Sequence, residues 1–195
     1  MARTKEYLVD ELNKHRSDWV LSALRQYEGP LTRYAAHITG DVERARDVVQ
    51  DTFIRLCSEN PRRLENCLAE WLFTVCRNRA LDVNRKERRM TPLTEIDLEV
   101  YERPGPSPAL AAEQRESAAQ LLEMLGALPP NQQEVLRLKF QNDLSYEEIS
   151  RVTHLSVSNV GYLIHTGIKT IRQQLRARET SASATATRKA VPGYE

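Results

Sequence analysis

The sequence predicts an all-α protein: two small helical domains joined by a flexible acidic linker, the second domain carrying a helix-turn-helix. Three observations lead there. Apolar residues recur at helical spacing through most of residues 1–90 and again from Ala109 to about Arg178. Between them "MTPLTEIDLEVYERPGPSP", residues 90–108, holds four prolines, a glycine and four acidic residues against one arginine, with no sustained period. No alternating β-rich run or long-period repeat competes with the helical pattern.

Composition narrows the function. A chain of 195 residues, 41% apolar and 28% charged, suits one or two small soluble domains. The net charge of +1 means that any attraction to nucleic acid comes from local patches. No apolar run approaches the roughly 18 residues that cross a bilayer, and "MARTKEYLVDELNKHRSDW" lacks the apolar stretch of a secretory signal. Membrane insertion is not expected, and the expected compartment is the cytoplasm. Cys57, Cys67 and Cys76 lack C-x-x-C spacing and have no histidine between them, so they read as small buried hydrophobes, with no metal site and no cofactor.

In chain order, residues 1–19 form an N-terminal extension with an additional helix near 4–16. The first domain spans 20–90, interrupted by "GP" at 29–30, "TGD" at 39–41 and "ENPRR" at 59–63. The linker is assigned to 91–112, the second domain to 113–178, and the small, polar residues 179–195 to a disordered tail.

Within the first domain, "GDVERARDVVQDTFIRLC" places Val48, Val49, Phe53 and Leu56 on a core stripe, while Asp47, Gln50 and Asp51 project elsewhere. Glu43 and Asp47 stand one turn apart, and carboxylates at that spacing can hold a metal or act as an acid–base pair. No histidine or second acidic motif accompanies them, and Arg44 and Arg46 are interleaved, so an acidic protein-binding face accounts for them better. No catalytic residue is assigned.

The stretch "WLFTVCRNRALDVNRKERR", residues 71–89, starts as core and ends as a cationic rod. Leu72, Val75, Cys76, Ala80 and Val83 share one side. Trp71, Asn78, Asp82, Arg85 and Arg89 form a second stripe, with Arg77, Asn84 and Arg88 further round. Trp71 suits either a core or a stacking surface. Arg79 points towards the apolar side, which only a snorkelling stem accommodates.

In the second domain, "YEEISRVTHLSVSNVGYLIH" reads as a helix near 145–152, a turn, and a second helix from about Ser156, its N-cap. Ile149, Leu155, Val160 and Leu163 are its apolar positions, and Ser150 is small where the helices approach. "PPNQQEVLRLKFQ" supplies Val135, Leu136, Leu138 and Phe140 as cover. His154 occupies a turn position usually given to glycine, a geometry that histidine tolerates. Gly161 and Gly167 each cost the second helix roughly 1 kcal/mol relative to alanine. Laid in a major groove, that helix would read bases with Ser158, Asn159, Tyr162 and His165 and meet phosphates with Lys169 and Arg172.

"ARDVVQDTFIRL", then "WLFTVCRNRALDVNRKERR", then the helix-turn-helix resemble, in that order and separation, the extracytoplasmic-function sigma factors of bacterial RNA polymerase. The resemblance covers roughly residues 20–178. It implies a non-enzymatic factor that binds core polymerase, recognises and opens a promoter, and starts transcription. It further implies that Asp47, Gln50, Asp51 and Phe53 meet the clamp helices of the largest subunit. Trp71, Arg77, Asn78, Arg85, Arg88 and Arg89 would recognise and melt the −10 element, and residues 58–70 would help trap an unpaired base. Ser158, Asn159, Tyr162, His165, Lys169 and Arg172 would serve the −35 element, beside a contact with the flap of the second-largest subunit. An anti-sigma protein is a further implied partner. Gly161, Leu163 and Thr166 depart from the pattern, standing where relatives often carry basic residues. The rival is a free-standing helix-turn-helix regulator that binds an operator as a dimer without polymerase; residues 40–89 have no use in it. A hydrolase with an acidic site would need metal ligands that the sequence does not supply.

Overall fold

The computed structural model describes the backbone of residues 2–87 and 119–189, and side chains over 14–86 and 119–178. The linker expected at 91–112 lies outside the described residues, as do Arg88 and Arg89. Among the described residues every regular element is a helix: α1 (Ala2–Thr39), α2 (Val42–Ser58), α3 (Pro61–Leu64), α4 (Leu68–Glu87), α5 (119–126), α6 (Pro130–Phe140), α7 (Tyr146–Thr153) and α8 (Val157–Lys189).

Local chemistry sets most ends. Gly40 adopts a left-handed φ of 72° and its N–H closes onto the Ala36 carbonyl, which stops α1. Asp41 caps α2 by accepting from the Arg44 N–H at 2.9 Å. Asn60 caps α3, with Pro61 at the first helical position. Ser145 and Glu148 form a reciprocal capping box at α7. His154 ends α7 at φ 60°, ψ 26°, the left-handed turn expected of it.

Two expectations about α1 need correction. Neither a separate helix at 4–16 nor a break at "GP" is present, because α1 runs unbroken through Pro30. A proline inside a helix costs about 3 kcal/mol. Leu24 and Tyr27 before it and Leu31 and Tyr34 after it share one stripe, and Leu31 and Tyr34 are buried. Each such side chain contributes about 1.5–3 kcal/mol on burial, enough together to hold the helix through the proline. At the other end, helical backbone continues through 179–189, where a disordered tail is expected from the composition.

α1, α2 and α4 pack around Tyr34, Val48, Leu56, Leu72 and Phe73, with Tyr34 and Phe73 edge to face at 5.3 Å. α6, α7 and α8 pack around Val135, Leu138, Ile149, Val152 and Val160. α4 also packs on α7, so the two buried sets form one continuous core.

Candidate nucleic-acid interface

On α2, Val48, Val49, Phe53 and Leu56 are buried, as their spacing predicts, while Asp47 and Gln50 are exposed. Phe53 therefore meets the surface only along a groove between α1 and α2, lined by Leu24, Gly29, Gln50, Phe53 and Ile54. Ile54, 58% exposed beside it, had no role in the sequence reading. Asp51 is half-exposed and accepts from Arg79 Nε at 2.8 Å. That pair explains why Arg79 lies near the apolar side of α4: it bridges to α2.

On α4, Leu72, Cys76 and Ala80 are buried and Asn78, Arg85 and Lys86 are exposed. Arg85 pairs with Asp82 one turn earlier at 2.7 Å. Trp71 is half-buried against the core. Phe73, absent from the expected stripe, is buried under Tyr34. Asn84 turns away from solvent and donates to the Ile38 carbonyl at 2.6 Å, tying α4 to the end of α1. Of the cysteines, only Cys76 matches the buried reading, and burial pushes its thiol up to about 12; Cys57 is exposed.

Arg77 departs most from its expected setting. Its side chain is 16% exposed, and Nε and Nη2 grip Glu134 of α6 at 2.7 and 3.2 Å. Tyr34 donates its hydroxyl to the same carboxylate at 2.8 Å. Burial, then Glu134, pushes the Tyr34 hydroxyl far above its ordinary range. Burial works against charge on Arg77, but the Glu134 hydrogen bonds and charge outweigh it and hold the guanidinium protonated more firmly than usual.

The second helix of the helix-turn-helix opens as expected: Ser156 Oγ accepts the Asn159 N–H at 3.2 Å. Ser150 donates to the Leu155 carbonyl across the turn at 2.5 Å. Ser158, Asn159, Tyr162, His165, Lys169 and Arg172 are all exposed, and the steps of four, three, four and three from Ser158 keep five of them on one face of α8. The two glycines differ. A Cβ at Gly167 would lie 2.8 Å from Leu136 Cδ1, so this position demands close approach, whereas one at Gly161 would meet Tyr146 at 3.6 Å. Phe140 does not cover the pair as expected: it is 61% exposed and lines an apolar groove with Leu121, Leu125, Ile168 and Ile171.

Two segments match known family models: residues 23–90 match Sigma-70 region 2, and residues 118–171 match Sigma-70 region 4. Together they take in more than half of the chain. Curated relatives include the ECF RNA polymerase sigma factor SigM of Bacillus subtilis (strain 168), 28% identical over 155 residues, 78% of this chain and 90% of the relative. They also include the ECF RNA polymerase sigma factor RpoE of Cereibacter sphaeroides, 26% identical over 173 residues, 86% and 93% of the two chains.

The chain belongs to the extracytoplasmic-function sigma factors. Its fold is similar to that of the sigma factor RpoE in complex with the anti-sigma factor NepR from Bartonella quintana, with a TM-score of 0.61 at 18% identity over 80% of this chain and 95% of that one. CnrH in complex with the cytosolic domain of CnrY gives a TM-score of 0.56 at 21% identity, over 88% and 96%. In this sigma factor, the region 2 match takes in α2, with its exposed Asp47 and Gln50, and α4, and the region 4 match takes in the exposed face of α8 from Ser158 to His165. Among the described residues no helix is long and apolar enough to cross a membrane. The rival operator-binding regulator is not favoured, because the region 2 match covers the very residues for which it has no use.

Sequence reasoning missed Glu134 and Tyr34. They lie 100 residues apart and meet Arg77 only through tertiary packing, so no local pattern marks them.

Proposed function

We propose that this sigma factor binds core RNA polymerase through region 2, with Asp47, Gln50 and Asp51 facing the largest subunit and Phe53 lining the adjoining groove. The α4 platform, with Trp71, Asn78 and Arg85, opens the −10 element and holds an unstacked base, together with Arg88 and Arg89 that follow it in sequence; Arg77 joins it when released from Glu134. Strand opening needs a rigid support, cations for phosphates and polar or aromatic groups for a flipped base, and a helix packed on one side with Asn78 and Arg85 exposed on the other supplies them. Ser158, Asn159, Tyr162, His165, Lys169 and Arg172 read the −35 element. The apolar groove at Phe140 is assigned to the flap of the second-largest subunit.

One observation carries the reading: two sigma modules occur in order on one chain, and α8 of the second leaves Ser158, Asn159, Tyr162, His165, Lys169 and Arg172 exposed. An anti-sigma protein is proposed as a regulatory partner, supported by the likeness in fold to the sigma factor RpoE from Bartonella quintana, which was solved in complex with the anti-sigma factor NepR. The test is a pull-down with purified core polymerase followed by run-off transcription from a promoter-fragment library. Discrete transcripts that require both the factor and core polymerase are expected. Tight, sequence-specific DNA binding by the factor alone, with no run-off product, would overturn the reading in favour of the operator-binding rival.

A further inference from the structure

Region 4 does not sit apart from region 2: α6 and α7 lie against α1 and α4. Polar contacts at Glu134 and Glu70 mark the junction, with His37 close by. Glu134 of α6 takes two hydrogen bonds from Arg77 of α4 and one from Tyr34 of α1. Arg151 of α7 reaches Glu70 of α4 at 2.7 Å. His37 of α1 lies close enough to Arg137 and Glu134 of α6 to feel both charges.

We infer that Glu134 is an internal decoy for the strand-opening surface: it occupies Arg77 in place of a DNA phosphate and holds the two modules in a closed state that must part before a promoter can be opened. The inference rests on the proposed division of labour between the modules.

The chemistry of the contact supports it. A carboxylate and a phosphate both present paired oxygens to a guanidinium fork, so Glu134 and a DNA backbone compete for the same two donors of Arg77. The pair is largely buried on both sides, so the guanidinium is unavailable while Glu134 is in place. Arg77 neighbours Asn78 on the helix assigned to melting, so the body of α6 sits beside that surface. The reader face of α8 stays exposed in the same arrangement, as do Asn78 and Arg85 on α4, so the masking falls on Arg77.

Geometry adds a second argument. The elements assigned to the modules are some two dozen base pairs apart, on the order of 80 Å at roughly 3.4 Å per pair. Modules joined by contacts at 2.7 Å cannot occupy both at once. The junction also carries a cost: His37 Nδ1 and Arg137 Nε are buried without a hydrogen-bond partner among the described residues.

The test uses the full-length chain. Binding of a fluorescein-labelled single DNA strand of mixed sequence, about 20 nucleotides long, is measured by anisotropy at low salt. Glu134→Gln and Glu134→Ala are compared with Glu147→Gln, which removes the same charge from an exposed position on α7. Apparent affinity scales with the open fraction, so the Glu134 variants should bind roughly threefold or more tighter than the Glu147 control. Their radius of gyration in solution scattering should rise as well. Circular dichroism checks folding, and Glu134→Gln, nearly isosteric, carries the test if the alanine variant is destabilised. Affinity no higher than that of the Glu147 control overturns the inference, whatever happens to the radius. Run-off by the wild-type factor with core polymerase reads the sigma function separately: its failure would sink the proposed function, while an unchanged affinity beside normal run-off would sink only the decoy.

Discussion

Arg79 of α4 donates through Nε to Oδ2 of Asp51 on α2 at 2.8 Å, so a residue assigned to polymerase binding also braces its own module. The side chains are 35% and 42% exposed, which limits the pair to about 1 kcal/mol or less. A change at Asp51 therefore mixes two effects, and Asp47, exposed one turn earlier, is the cleaner probe. Asp47→Lys should weaken association with core polymerase several-fold while shifting stability by no more than about 0.5 kcal/mol. A titration at moderate salt checks it, and unchanged affinity counts against the acidic face.

The glycines of α8 should respond with opposite signs. Alanine at Gly161 makes an ordinary contact with Tyr146 and gains helix propensity, so Gly161→Ala should stabilise by up to about 1 kcal/mol. Alanine at Gly167 is driven into Leu136, which is buried and has little room to yield. Overpacking costs about 1–3 kcal/mol, so Gly167→Ala should destabilise on balance. Urea midpoints of the two variants decide the matter, and a gain in both would refute the close packing of α6 on α8.

Opening and reading should separate on premelted promoter DNA. Asn78→Ala, or Arg85→Ala with Arg88→Ala, should slow strand opening and be rescued when the −10 region is already unpaired. Asn159→Ala or Tyr162→Ala should instead shift the upstream preference by roughly 1–3 kcal/mol and gain nothing from premelting. Equal rescue of both groups would overturn the assignment.

Acid should weaken the fold through His37. Burial first, and then the charge of Arg137, lower its pKa from 6.5 to about 4. Above pH 6.5 the ring is neutral folded and unfolded, and contributes no pH dependence. Between 6.5 and about 4 the unfolded chain takes up a proton that the folded chain refuses, so stability falls with pH, by up to roughly 3 kcal/mol. Glu148, held low by Ser145 against the cost of its burial, loses its stabilising contribution only below the ordinary carboxylate range. Urea midpoints at pH 7 and pH 5 thus isolate the histidine, and His37→Gln should flatten the difference.

Much of the inside and outside pattern of α2 and α8 was legible in the order of residues because it is locally encoded. A period of 3.6 puts Val48, Val49, Phe53 and Leu56 inside and Tyr162, His165 and Lys169 outside. The cap at Ser156 and the left-handed turn at His154 depend on residues within a few positions of each other. Where local signals misled, tertiary packing had overruled them. Pro30 reads as a break, yet buried Leu31 and Tyr34 carry α1 through it. Phe140 reads as core, yet it lies at the edge of a groove that the packing of α5, α6 and α8 leaves open.

Residue spacing alone specifies the helical class, the two modules, the acidic face of α2 and the exposed polar face of α8, since each depends on positions within one helix or turn. Which charges are engaged depends on how the helices pack. Arg79 meets Asp51 across 28 positions, Arg77 meets Glu134 across 57, and Tyr34 meets Glu134 across 100. A charged side chain has the same local sequence signature whether it faces water, DNA or a buried partner. Its partner is chosen by how the helices pack, and that choice turns Arg77 from an expected phosphate contact into the junction between the modules.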